Sequence, residues 1–176
     1  MNLSAIPAGP NPPKDVNAVI EIPQGGEPVK YEVDKASGAL FVDRFLYTAM
    51  RYPGNYGFIP QTLADDGDPI DILVVGPTPV VPLSIIRARP IGVLQMKDEK
   101  GVDEKILAVP VDQLHPFHTD VRTWSDLPAI LTEQIAHFFA HYKDLETGKS
   151  TEIGQWAGPE EAERLIARAI DRAART

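Results

Sequence analysis

The hydrophobic period of this chain changes once, and that change constrains the fold more than any other feature. From residue 16 to about residue 111 the apolar residues fall in short runs: 16–22, 29–34, 40–45, 70–75, 85–96 and 105–109. These runs are rich in β-formers and bounded by Gly, Pro or Asp. Within 29–34, Lys30 and Glu32 alternate with Tyr31 and Val33, which is the period of a half-buried strand. The 85–96 run is long and holds Pro90 and Gly92, so it is expected to bend or bulge. Beyond residue 125 the spacing becomes helical, with Leu127, Ile130, Leu131, Ile135, Phe138, Phe139 and Tyr142 on one stripe. Ser125 or Asp126 reads as the N-cap and Gly148 as the stop. A second helix opens on Pro159 with Glu160 and Glu161 and buries Ala162, Leu165, Ile166, Ala169 and Ile170. It carries Arg168, Arg172 and Arg175 late, as the helix dipole favours. Strands first and helices last describe a β-rich α+β chain, a small barrel or sandwich with helices at its side.

The 176 residues suffice for one domain with its own core, expected to span 1–176, and no internal repeat or linker divides them. There is no cysteine, which removes disulfides, thiolate metal sites and cysteine nucleophiles. No apolar stretch reaches the roughly 20 residues a membrane helix needs. The stretch from Met1 to Pro13 lacks the basic and apolar regions of a signal peptide, so a cytoplasmic location is expected. A formal net charge of −8 argues against nucleic-acid binding, which depends on counterion release by Lys and Arg.

Asp65-Asp66-Gly67-Asp68-Pro69-Ile70-Asp71 places four carboxylates in seven residues. Taken alone, such a run is a solvated acidic turn. This one leads straight into the apolar run 70–75, where Asp71 points to the face opposite Ile70 and Ile72. A charge at the mouth of a buried strand needs a partner. A calcium loop fails, because counting from Asp66 puts Ile70 at position 5 and Pro77 at position 12. Oxygen donors with no cysteine or histidine nearby favour Mg²⁺ or Mn²⁺ over zinc. Further carboxylates at Asp98, Glu99, Asp103 and Glu104 lie on what reads as a hairpin. Such tips are normally just solvated, so Asp98 and Asp103 matter only if another part of the chain meets them.

The chain resembles the family I soluble inorganic pyrophosphatases, especially the bacterial type. The most specific block is Asp66-Gly67-Asp68-Pro69-Ile70-Asp71-Ile72. Other blocks follow in order, among them Ala18–Pro23, Lys30-Tyr31-Glu32, Gly38–Arg44, Tyr52–Gly57, Arg89–Gly92, Lys97–Glu99, Asp103 with Lys105, and Ile135–Leu145. The resemblance implies a five-stranded, OB-like closed barrel with two flanking C-terminal helices. It also implies hydrolysis of pyrophosphate to two orthophosphates, several Mg²⁺ ions (Mn²⁺ or another divalent cation in their place), and a homohexamer. Position by position, Asp66, Asp71 and Asp103 match the tightest metal ligands, and Asp98 and Glu21 match ligands of further metals. Asp68 matches the residue that takes the proton from the nucleophilic water. Lys30, Arg44, Tyr56, Tyr142 and Lys143 match the groups that hold the phosphates, with Lys105 near them. Lys30, Arg44 and Tyr56 are counted with Asp68 in the catalytic set, and Glu32 matches an accessory carboxylate. Asp65 takes no role, and nothing is transferred after Glu146.

The implied chemistry asks for these residue types. Water is a poor nucleophile at neutral pH, and divalent metals lower its pKa while a nearby carboxylate takes its proton. Charge spreads over the phosphate oxygens in the transition state, so placed cations matter most. Arg44 offers a bidentate contact, Lys30, Lys105 and Lys143 act as point charges, and Tyr56 and Tyr142 donate neutral hydrogen bonds. Each has a plainer reading alone: Lys30 with Glu32 as a surface pair, Arg44 as a strand end, both tyrosines as core rings, Glu21 as an exposed strand residue. Of the four histidines, His137 and His141 are four apart on a helix, but no Glu at 138 completes a zinc-protease motif, and His141 is expected to face solvent. Against the enzyme stands an OB-like module that binds an anion or oligonucleotide without turnover, and, more weakly, a phosphatase acting on organic phosphates.

Overall fold

A computed structural model describes residues 2–175. The strands are β1 (Val16–Ile22), β2 (Val29–Val33), β3 (Leu40–Phe45), β4 (Asn55–Phe58), β5 (Asp71–Val74), β6 (Ile85–Asp98), β7 (Gly101–Val102), β8 (Lys105–Pro110) and β9 (Thr151–Ala157). The helices are α1 (Ala129–His141) and α2 (Pro159–Ala173). Five strands pair in the order β1-β4-β5-β8-β6, and β6 returns to pair β1, so they close into a ring. The expected five-stranded, OB-like β-rich architecture with two C-terminal helices is present. β7 and β9 extend β6, while β2 and β3 form a separate hairpin.

All strand contacts in the ring are antiparallel except β5 with β8, where Asp71 stands opposite Lys105. Successive residues on these strands face opposite sides. Ile72, Val74, Ile106 and Ala108 therefore join one apolar cluster with Ala162, Ile166 and Ala169 of α2. Leu73, Leu107 and Val109 join the other, with Ile135, Phe138 and Phe139 of α1. Asp71 and Lys105 share the parity of the second cluster, so the ring delivers both to the side where Tyr56 and Tyr142 pack.

Several boundaries differ from the expectations. Asn55–Phe58 is a strand in a stretch given no strand in advance. Gly57 is needed there because a Cβ would overlap the carbonyl oxygen of Val19 on β1. β9 lies in a segment given no structure in advance. The first helix starts at Ala129 instead of near Ser125. Asp126 instead closes a capping box with Thr123 on a short 3₁₀ turn, Trp124–Asp126. That helix ends at His141, well before Gly148, because its apolar stripe is exhausted at Tyr142 and Leu145 is exposed. The expected bend in β6 is real: its register shifts between Pro90 and Gly92. So is the hairpin, in which Asp98 pairs Gly101. His141 is exposed and pairs with Asp144. No helix among the described residues is long and apolar enough to cross a membrane.

Candidate active site

All thirteen residues singled out from the sequence line one cleft: Glu21, Lys30, Glu32, Arg44, Tyr56, Asp66, Asp68, Asp71, Asp98, Asp103, Lys105, Tyr142 and Lys143. They arrive from β1, β2, β3, β4, the β4–β5 loop, β5, the β6–β7 hairpin with the turn that follows, β8 and the turn after α1. The β4–β5 loop is a tight structure. Ala64 N–H donates to Asp68 O at 2.7 Å, Asp68 N–H donates to Asp66 Oδ1 at 3.0 Å, and Gly67 takes the left-handed φ of +92° that the turn demands.

Lys105 sits at the centre. Its side chain is 4% exposed, and its ammonium donates to both Asp71 and Asp103. Burial alone would push its pKa down, but Asp71 and Asp103 outweigh burial and hold it above the usual ammonium range. Its Nζ also lies 5.8 Å from the Tyr56 ring centroid. Burial, with the charge of Asp71 adding to it, raises Asp103 despite the pull of Lys105. Burial raises the Tyr56 and Tyr142 phenols too, so both stay neutral donors. Their rings stack among Tyr52, Phe138 and Phe139, so packing and hydroxyl chemistry coexist in the same side chains.

The other cations are also paired. Lys143 Nζ donates to Asp98 Oδ2 at 3.0 Å and stands 3.5 Å from Glu99 Oε2. Lys30 donates to Asp43 Oδ2 at 3.1 Å and lies 3.6 Å from Glu32. Arg44 donates to the same Asp43 oxygen at 2.7 Å, and its Nε lies 2.9 Å from Glu146. Burial would raise Asp43, but Lys30 and Arg44 together hold its carboxyl below the usual range. Sequence reasoning gave no role to Asp43, Glu146, Glu99, Lys149 or Lys35. Lys149 pairs Glu99 at 2.8 Å, and Lys35 pairs Asp68 at 2.8 Å. Asp43 sits inside a block already marked by Arg44 and was the detectable one. The others are long-range partners with no local signal.

Glu21 is buried on β1, and its Oε1 accepts from Val33 N–H at 2.7 Å. Burial, with Asp71 adding to it, pushes its carboxyl up to about 7 against that hydrogen bond. The folded state thus keeps a proton that the unfolded chain gives up near pH 4.5. This group's stabilisation is complete below that value and is lost as pH rises through about 7. In chelator-treated protein, Glu21→Gln is expected to be more stable than the parent above pH 7, by roughly 3 kcal/mol, and to lose that advantage below pH 4.5. Urea unfolding at pH 8 and pH 4 measures it; an equal difference at both values would contradict the assignment.

The donor set is that of a hard divalent cation: five carboxylates, Glu21, Asp66, Asp71, Asp98 and Asp103, with no sulfur or imidazole among them. Burial is the main cause of the upward push on Glu21 and Asp103, and the neighbouring Asp71 adds to it at both. Among the described residues no three acidic or histidine side chains stand close enough to form a finished cage. Lys105 holds Asp71 and Asp103 together instead.

The family model described as inorganic pyrophosphatase matches residues 18–174. The inorganic pyrophosphatase of Caulobacter vibrioides is 73% identical over 172 residues, covering 98% of this chain and 97% of that protein. That of Aquifex pyrophilus is 54% identical over 97% of this chain and 96% of its own. Among solved structures, the Coxiella burnetii inorganic pyrophosphatase superposes with a TM-score of 0.92 at 46% identity, covering 95% of this chain and 99% of its own. The Thermus thermophilus enzyme gives 0.92 at 39% identity, covering 99% of each. With the aspartate run, the closed ring and the cleft all in agreement with these likenesses, the chain belongs to the inorganic pyrophosphatase family, of the bacterial family I type.

Proposed function

We propose that the chain hydrolyses inorganic pyrophosphate to two orthophosphates by in-line attack of water, with Asp68 as general base and Mg²⁺ as the divalent cation, replaceable by Mn²⁺. Glu21, Asp66, Asp71, Asp98 and Asp103 would hold the cations. Bound cations would supply Lewis acidity, lowering the pKa of water and neutralising phosphate charge. The remaining steps belong to the chain's own side chains. Lys30, Arg44, Tyr56, Lys105, Tyr142 and Lys143 grip the phosphate oxygens and line up the bridging P–O bond. As the water oxygen bonds to one phosphorus, its proton passes to an Asp68 carboxylate oxygen, and the bridging P–O bond breaks to release orthophosphate. Glu32 tempers the charge of Lys30 at 3.6 Å.

The convergence of all thirteen residues on one cleft supports this reading most. Eight acidic and seven basic residues line it, so a pyrophosphate anion finds no surplus of positive charge until the carboxylates are neutralised. The same reading makes residues 1–176 one pyrophosphatase domain acting as a cytoplasmic homohexamer, which light scattering on the purified protein checks. The activity test is direct. Purified protein with Mg²⁺ and pyrophosphate should release orthophosphate, and excess chelator should stop it. No phosphate above the buffer control at any Mg²⁺ level would sink the proposal.

A further inference from the structure

The loop that carries Asp66 and Asp68 is fixed from two sides. Its inner stem is held by the ring: Thr62 Oγ1 donates to Ile59 O at 2.6 Å and accepts from Ile70 N–H at 3.0 Å. Its outer side is held by the last turns of α2. Leu63 N–H donates to Ala169 O at 2.9 Å, and Arg172 Nη1 donates to Leu63 O at 2.9 Å. Arg172 Nη2 donates to Asp65 Oδ1. Both backbone groups of Leu63 and the side chain of Asp65 are thereby tied to one helix. The helix itself is anchored, because Ala162, Ile166 and Ala169 are buried against the ring.

Between the loop and α2 lies a cleft lined by Asp66, Asp71, Asp103, Leu165, Arg168 and Arg172, among others. Apolar side chains, among them Ile70, Leu165 and Ala169, line part of this cleft, and the charged rim where Asp65 and Asp66 stand is held by hydrogen bonds. A planar guanidinium fork donating to a carbonyl and a carboxylate fixes direction as well as distance.

We propose that Arg172 is a positioning residue: through Leu63 and Asp65 it sets the placement of the Asp66–Asp68 loop, and so the cation affinity of the active site. This rests on the proposed ligand role of Asp66. It also gives Asp65, which has no place in the chemistry, a structural task. Groups that orient ligands from behind typically govern metal affinity by about 10- to 100-fold.

The test has two readouts on metal-free protein. Amide hydrogen exchange at Ala64, Gly67 and Asp68 reports the clamp, and Mn²⁺ titration by electron paramagnetic resonance reports the site. Arg172→Ala is expected to speed exchange at those amides and weaken Mn²⁺ binding by about 10-fold, while exchange in β5 and β8 stays as in the parent. Arg172→Lys, which can reach only one of the two acceptors at a time, should fall between. Should Arg172→Ala fold poorly, Asp65→Ala removes the acceptor of the exposed half of the clamp without touching the core, and should show the same two changes in smaller size. Arg168→Ala, a neighbour in the cleft, serves as the control and should match the parent. Parent-like exchange or parent-like Mn²⁺ affinity in both Arg172→Ala and Asp65→Ala would overturn the proposal. Asp66→Asn separates the two ideas. If it leaves Mn²⁺ binding intact, the ligand role fails, whereas the exchange result still judges the clamp.

Discussion

Asp68→Asn is expected to lower kcat by about 10²- to 10⁴-fold, the range that a positioned general base supplies, with KM for pyrophosphate changed far less. The argument is geometric. Asp68 lies between Asp66 and Asp71 in sequence, lines the same cleft, and has Lys35 as its side-chain ion-pair partner at 2.8 Å, with both side chains more than half exposed. A surface pair of that kind contributes about 0–1 kcal/mol, so losing it leaves the fold in place. Asparagine keeps the shape and an acceptor oxygen but cannot take a proton. The variant should therefore melt with the parent, bind Mn²⁺ close to parental strength and release almost no phosphate. Steady-state kinetics beside a thermal melt decides it. A kcat within threefold of the parent would remove Asp68 from the role of base.

Lys105→Met carries the second large effect, and it acts on stability before activity. Lys105 is the buried cation that joins Asp71 to Asp103 across the parallel pair β5 and β8. Methionine fills much of the same volume but leaves two carboxylates facing each other without compensation. Breaking a buried ion pair by removing one partner typically costs about 3–5 kcal/mol. In chelator the melting temperature should fall on the order of 10 °C. Saturating Mg²⁺ should recover most of that loss, because Asp71 and Asp103 are the proposed cation ligands. Turnover should stay depressed even then if Lys105 holds phosphate as proposed, since its ammonium is gone. A chelator-treated variant that melts with the parent would show that Asp71 and Asp103 do not need Lys105, and would undo this account of the site's centre.

The strand-rich front and helical back were legible because their apolar periods differ, and β6 announced its own bend through Pro90 and Gly92. The residues of the cleft were legible only as a set. Lys30, Arg44 and Tyr142 each have an ordinary explanation alone, and it was their order around the aspartate run that separated them from it. What stayed hidden was whatever depends on pairing at a distance. Asn55–Phe58 is short and follows directly on Pro53 and Gly54, and it is a strand because β1 and β5 receive it on both sides. Thr151–Ala157 joins the sheet only because β6 is long enough to offer it an edge. Asp126 has the chemistry of a cap, and the sequence could not tell which turn it would close. Arg172 reads as a helix-end cation favourable to the dipole, and nothing nearby signals that its fork reaches back to Leu63 and Asp65.

The closed ring also governs when the cleft can exist during synthesis. Glu21 leaves the ribosome with the first strand, but β1 needs β6 to close on it, and β5 needs β8, its parallel neighbour. Such non-local and parallel pairings form slowly, because chain closure is paid for before any contact rewards it. Tyr142 and Lys143 emerge later still, after α1. A growing chain thus cannot close the ring around its carboxylates before β8 is made. The strand that closes the ring is therefore also the one that brings Lys105, the cation held between Asp71 and Asp103.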